Sequence, residues 1–211
     1  MKKILALVVL SLFFSGKVYA ACSKASGDIS GTSSGSPHTT AYSCADNNTF
    51  VLDADEYMSG SSARITATAD NITINNSGNL LATGGGNVIT SGAYDTVTLT
   101  NQSTGVIKGS TNGIFLGAGD AWEIDNYGDI YGVTAKAVNI RGGDNTQITN
   151  RSGAKIRTDG LNAVLMQNSS GSNASETLTL DNYGTISGRA NTVKIAVNST
   201  GATINNYSGA T

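Results

Sequence analysis

Residues 124–132 read IDNYGDIYG, and residues 180–188 read LDNYGTISG. The same frame recurs as INNSG at 74–78, LTNQSTG at 99–105, ITNRSG at 148–153 and INNYSG at 204–209. Each copy places a glycine shortly after an asparagine. The anchoring residues are Asn76, Asn101, Asn126, Asn150, Asn182 and Asn206, separated by 25, 25, 24, 32 and 24 residues. A sustained period of this length marks a solenoid, in which one repeat cannot bury its apolar face and stacked repeats share a core. The single long interval holds the polar run QNSSGSNASE from Gln167 to Glu176, which adds length without adding apolar positions.

Outward from that frame, every repeat carries three short apolar stretches. Val97-x-Leu99, Trp122-x-Ile124 and Leu178-x-Leu180 lead up to the asparagine. Leu80, Ile107, Ile130, Ile156 and Ile186 follow the glycine. Ile114-x-Leu116, Val138-x-Ile140, Val164-x-Met166 and Val193-x-Ile195 complete the unit. Alternation over three to five residues is the pattern of a half-buried strand, and Gly, Asn and Asp clusters separate the stretches as turns. Three strands in about 24–25 residues predict an all-β chain, a right-handed parallel β-helix that rises about 4.8 Å per coil. A β-sandwich offers no reason for six Asn–Gly pairs to keep register. The narrow coil interior favours Ile, Val and Leu over large aromatics.

The recurring asparagines have a structural reading. An amide both donates and accepts, so Asn side chains stacked at one position can bond to each other along the rod. The glycines Gly78, Gly105, Gly128, Gly153, Gly184 and Gly209 are expected to supply positive φ at the adjoining turns.

Composition agrees with this. Charged residues are 13% of 211, while Gly counts 26, Asn 21 and Pro 1. Gly, Asn, Ser and Thr are poor helix-interior residues, which excludes a helical bundle. Met1-Lys2-Lys3, the apolar run Ile4–Phe14 and the small residues at Val18 and Ala20 form a secretory leader over residues 1–20, too short for a comfortable membrane span. Its removal takes Lys2, Lys3 and Lys17, leaving 13 − 3 = 10 bases against 15 acids, a net charge of −5 where the full chain has −2. That balance disfavours nucleic acid and anionic lipid as partners. Cys22 and Cys44 are expected to pair in an oxidising compartment, closing a loop worth roughly 3 kcal/mol. Residues 21–60 are read as an N-terminal cap around that disulfide, and residues 61–211 as the β-helix.

The units LDNYGTISG, IDNYGDIYG and INNSGNLLA (74–82) resemble the passenger repeats of autotransporter proteins of Gram-negative bacteria. The resemblance spans the leader and about residues 65–211. It implies an exported, surface-exposed or secreted β-helical scaffold that is non-enzymatic and adhesive or self-associating, with no ligand named. It also implies a C-terminal translocator barrel in a full-length protein. The 211 residues contain no long series of ten-residue alternating strands of the kind a barrel needs. The sequence also stops mid-coil at Thr211, so the chain is expected to be the N-terminal part of a longer passenger, cut within a coil.

The alternative is a carbohydrate-active β-helix enzyme, a lyase or hydrolase, which needs clustered carboxylates, sometimes with Ca²⁺. Asp125 and Asp181 share an edge but lie two coils apart. Asp120 and Asp144, 24 residues apart, are the one carboxylate pair that the register brings into adjacent coils. They are weak candidates for a metal, solvated turn carboxylates being the favoured reading. His38 is the single histidine, too isolated for a Ser-His-Asp triad. Gly84-Gly85-Gly86 lacks the Lys-Ser/Thr of a phosphate loop. No cofactor is expected. Tyr127, Tyr183 and Tyr207 each follow an anchoring Asn and form a candidate contact surface, interrupted by Gln102 and Arg151.

Overall fold

A computed structural model describes residues 20–24, 39, 41–167, 177–195 and 201–211. The leader up to Tyr19, His38, and the insertion from Asn168 to Glu176 lie outside the described residues.

The chain winds through three sheets in fixed order, with no helix among the described residues. The first sheet stacks Asn48–Leu52, Ile72–Asn76, Val97–Asn101, Glu123–Asn126, Thr146–Asn150, Thr177–Asn182 and Gly201–Asn206. The second stacks Tyr57–Gly60, Asn79–Ala82, Val106–Gly109, Asp129–Gly132, Lys155–Thr158 and Thr185–Ser187. The third stacks Tyr42–Cys44, Ile65–Ala67, Ile89–Ser91, Asn112–Leu116, Lys136–Arg141, Asn162–Gln167 and Asn191–Ile195. Neighbours in each stack are parallel, so the molecule is a β-solenoid with three strands per coil.

Period-two alternation sends one side of every strand inward, where like residues stack. The first sheet contributes Phe50, Ile74, Leu99, Ile124, Ile148 and Leu180, the second Met58, Leu80, Ile107, Ile130, Ile156 and Ile186. The third contributes Ile65, Ile89, Ile114, Val138 and Val164. Besides Phe50, Trp122 enters this narrow interior: it is 1% exposed, stacked between Val97 and the much smaller Thr146. At the last coil Ile204 is 47% exposed, whereas Leu180 one coil earlier is fully buried.

The coils begin earlier than expected. Tyr42–Cys44, Asn48–Leu52 and Tyr57–Gly60 already pair in parallel with the next coil, inside the stretch 21–60 that the sequence suggested as a cap. Phe50, Leu52 and Met58 fill its inward positions. Leu52 occupies the position that holds Asn76 one coil later, which hides this coil from a search for the Asn frame. Among the described residues, the N-terminal departure from regularity lies in Ala20–Ala21, which joins the first sheet, and Ser23–Lys24, which runs antiparallel to Tyr42–Cys44. Cys22 and Cys44 are disulfide-bonded across this junction, both buried.

A second clamp there was not visible in the sequence. Arg64 is 3% exposed, and its guanidinium donates to the carbonyls of Thr39 (2.6 Å), Ser59 (3.4 Å) and Ser62 (2.8 Å) and to the Ser62 hydroxyl (3.1 Å). Burial pushes its pKa down. Gly60 makes the room, since a Cβ there would lie 2.1 Å from Arg64 Nη1.

Candidate functional site

The corner between the first and second sheets carries the amide column. Asn76 Nδ2 donates to Asn101 Oδ1 at 2.8 Å, and the same bond repeats from Asn101 to Asn126, Asn126 to Asn150 and Asn150 to Asn182, each 2.8 Å, and from Asn182 to Asn206 at 2.7 Å. Asn76 through Asn150 are fully buried. Each amide has one polarity along the rod, oxygen toward the N-terminal coil and nitrogen toward the C-terminal one. The column therefore starts with an orphan. Asn76 Oδ1 is buried without a donor, because Leu52 holds the preceding position.

The turns leaving these asparagines alternate in length. Two residues, Ser77-Gly78, Tyr127-Gly128 and Tyr183-Gly184, separate Asn76, Asn126 and Asn182 from the second sheet. Four residues, Asp53–Glu56, Gln102–Gly105 and Arg151–Ala154, do so in the coils between, starting from Leu52, Asn101 and Asn150. The long turns are closed by a bond from their last N–H to their first carbonyl, as from Gly105 to Gln102 at 2.8 Å and Ala154 to Arg151 at 3.0 Å. Tyr207–Ala210 closes the same way at 3.0 Å.

Here the positive-φ expectation is corrected. Of the six glycines named for it, Gly153 (φ 80°) and Gly209 (φ 85°) alone adopt it. Gly128 serves another need: a Cβ would lie 2.2 Å from the Gly105 carbonyl and 2.5 Å from that of Gln102, so the short turn tucks beneath the preceding long one.

The corner between the third and first sheets was largely missed. It holds a five-member carboxylate column, Asp46, Asp70, Asp95, Asp120 and Asp144, and not the single pair Asp120–Asp144. Asp70 accepts the N–H of Asp95 at 2.8 Å, Asp95 that of Asp120 at 2.7 Å, and Asp120 that of Asp144 at 2.7 Å. Each is followed by a residue in the left-handed region, Asn47, Asn71, Thr96, Ala121 or Asn145, with φ between 55° and 58°. The N–H groups of Asn71, Thr96 and Ala121 bond the next coil's Asp carbonyl at 3.1, 2.9 and 2.8 Å, whereas that of Asn145 donates to the Thr177 hydroxyl at 2.6 Å. Thr and Ala are unusual there, and the double link between coils holds the conformation. The signal was present: these aspartates recur two or three residues before the strand at spacings of 24, 25, 25 and 24. Among the described residues no three His, Cys, Asp or Glu side chains are placed to hold a metal ion.

The third corner carries a shorter amide column. Asn112 Nδ2 donates to Asn87 Oδ1 at 2.7 Å, and Asn191 Nδ2 to Asn162 Oδ1 at 3.0 Å, with Lys136 at the intervening position.

The tyrosines do form an outer column, and Arg151 joins it where the sequence suggested an interruption. Arg151 lies over the Tyr127 ring at 5.4 Å while gripping Asp125 through Nε (2.6 Å) and Nη2 (2.9 Å), which raises its pKa. Tyr183 and Tyr207 stack with centroids 4.1 Å apart and planes 6° from parallel. Tyr127, Tyr183 and Tyr207 remain 40%, 38% and 39% exposed. The Tyr183 phenol beside it, and Asp181, to which the Tyr207 hydroxyl donates at 3.3 Å, push the Tyr207 pKa up to about 12.

On the outer face of the second sheet Tyr131 lies between two cations, Arg157 at 4.1 Å and Lys108 at 5.4 Å from its ring. Arg157 also forks onto Asp129, at 2.6 Å from Nη2. The Tyr131 hydroxyl donates to Asp159, which raises the phenol's pKa.

A recess of about 200 Å³ opens where the short turn Tyr127-Gly128 lies between the long turns Gln102–Gly105 and Arg151–Ala154. Ser103, Thr104, Asp129 and Lys155 line it with Tyr127. No protein-family model, curated protein or solved structure matches the chain.

Proposed function

We propose that the chain is an exported, non-enzymatic scaffold of the autotransporter-passenger type, presented at the cell surface or secreted from a Gram-negative bacterium. Its secretory leader would direct it out of the cytoplasm, and its corner side chains would make it a self-supporting rod. The observation that carries the reading is the use of the recurring polar residues. The Asn column bonds amide to amide, and the Asp column bonds carboxylate to backbone, each from coil to coil. Side chains committed to neighbouring coils stiffen a rod. They leave the exposed Tyr127, Tyr183 and Tyr207 column and the adjoining second sheet as the surface offered to a partner, by adhesion or self-association.

Fractionation of Gram-negative cells expressing the chain tests this. The expected result is a protein outside the cytoplasm that begins at Ala21. Accumulation in the cytoplasm with the leader attached contradicts it, as does turnover of a polysaccharide by the purified chain.

A further inference from the structure

Alternation of turn length gives the corner a period of two coils. Each short turn is a floor and each long turn a ridge. The recess lies over the short turn Tyr127-Gly128, and the next short turn, Tyr183-Gly184, follows two coils on, between the long turns Arg151–Ala154 and Tyr207–Ala210. Two coils span about 10 Å, twice the spacing of paired strands. That is close to the length of one disaccharide in an extended linear glycan. One ring of each disaccharide would drop into a recess while the other rides on a ridge.

The charges select among such polymers. Asp125 and Asp129, the carboxylates beside the recess, are held in forked pairs by Arg151 and Arg157. Lys155, exposed at the end of the ridge Arg151–Ala154, and Lys108, two strands away on the same sheet, have no carboxylate partner among the described residues. An unmatched cation, Lys155, thus lines the recess of a chain whose net charge is −2. The Ser103 hydroxyl on the opposite wall has no hydrogen-bond partner among the described residues, and so can bond a sugar hydroxyl. The short turn Ser77-Gly78 adjoins the long turn Asp53–Glu56, whose Asp53, Asp55 and Glu56 would repel an anion and set the direction in which the polymer extends.

We propose that the recess over Tyr127-Gly128, with the short turn Tyr183-Gly184 two coils on, binds a linear acidic polysaccharide in which a uronate alternates with an uncharged sugar, its carboxylate meeting Lys155. The proposal rests on the surface-scaffold reading and names the ligand class for it. The test is calorimetric titration of the chain from Ala21 to Thr211 with a hyaluronan decasaccharide, and with a neutral cellulose oligosaccharide of the same length. Binding of hyaluronan is expected to weaken with salt and to fall about tenfold in Lys155→Gln, the loss of one charged hydrogen bond. Ser103→Trp fills the recess from an exposed turn and is expected to abolish binding without changing the thermal midpoint. Equal affinity for the neutral probe, native affinity in both variants, or no hyaluronan binding by a folded, exported chain overturns the proposal. The last of these leaves the scaffold reading standing, whereas shortening of the probe during incubation overturns that reading.

Discussion

At the corner after the first sheet the repeated side chain is an amide; at the corner before it, a carboxylate. The amides are buried and satisfy one another, because each carries a donor and an acceptor. The carboxylates accept only, so they cannot form such a chain among themselves. They lie toward solvent and bond the backbone N–H of the next coil, with a left-handed residue aiming each N–H. Asn and Asp have nearly the same shape, so exchanging them between corners isolates chemistry from packing.

The largest effect is expected from Asn126→Asp. Asn101 could still donate to the new carboxylate, but Asn150 Oδ1 would lose its donor and a charge would be buried. A loss of about 3–5 kcal/mol in denaturant unfolding is predicted. Asn126→Ala leaves two unsatisfied groups without the charge and should lose about 1–3 kcal/mol. If both variants unfold like the native chain, the amide column contributes nothing.

Gly128→Ala sharpens the comparison at the same corner. Its Cβ would overlap the Gly105 carbonyl, so a loss of about 1–3 kcal/mol is predicted by thermal unfolding. Gly153→Ala has open space, and its strain comes from positive φ alone. A smaller loss there, by the same measurement, separates crowding from backbone conformation.

Asp120→Asn, the reciprocal exchange, keeps an oxygen to accept the Asp144 N–H. Its predicted cost is below about 1 kcal/mol by denaturant unfolding, because one neutral bond replaces one charge-assisted bond. A cost equal to that of Asn126→Asp would mean that the two corners do not differ as described.

The smallest effect concerns Tyr207. Its phenol pKa is raised from 10 to about 12, first by the neighbouring Tyr183 phenol and then by Asp181. A raised pKa favours the protonated form in the fold, so this contribution is complete below pH 10 and is lost as pH rises toward about 12. The late-titrating part of the tyrosinate absorbance in an alkaline titration should shrink in Tyr207→Phe, with Tyr131 still titrating late in both.

The sequence made the solenoid legible because apolar alternation and a 24–25-residue period act together, and because Asn at equivalent positions can bond only if the coils stack in register. The Asp column escaped notice for a physical reason. It lies outside the apolar pattern, and its partners are backbone N–H groups, which a sequence does not display. The first coil was hidden by Leu52, and the bridging of Tyr127 by Arg151 depends on a guanidinium that must be seen lying over the ring. Alternation of turn length is plain once strand ends are known. Before that, nearly constant intervals between asparagines conceal it, since a longer first turn is offset by shorter spans elsewhere in the coil.

Side-chain amide hydrogen exchange, followed by NMR on the asparagines, tests the bonded column most directly. The Nδ2 protons of Asn101, Asn126 and Asn150, buried and bonded at 2.8 Å, should exchange far more slowly than those of the partly exposed Asn205, bonded to Asp181. Exchange of all four at one common rate would contradict a buried amide ladder holding the coils together.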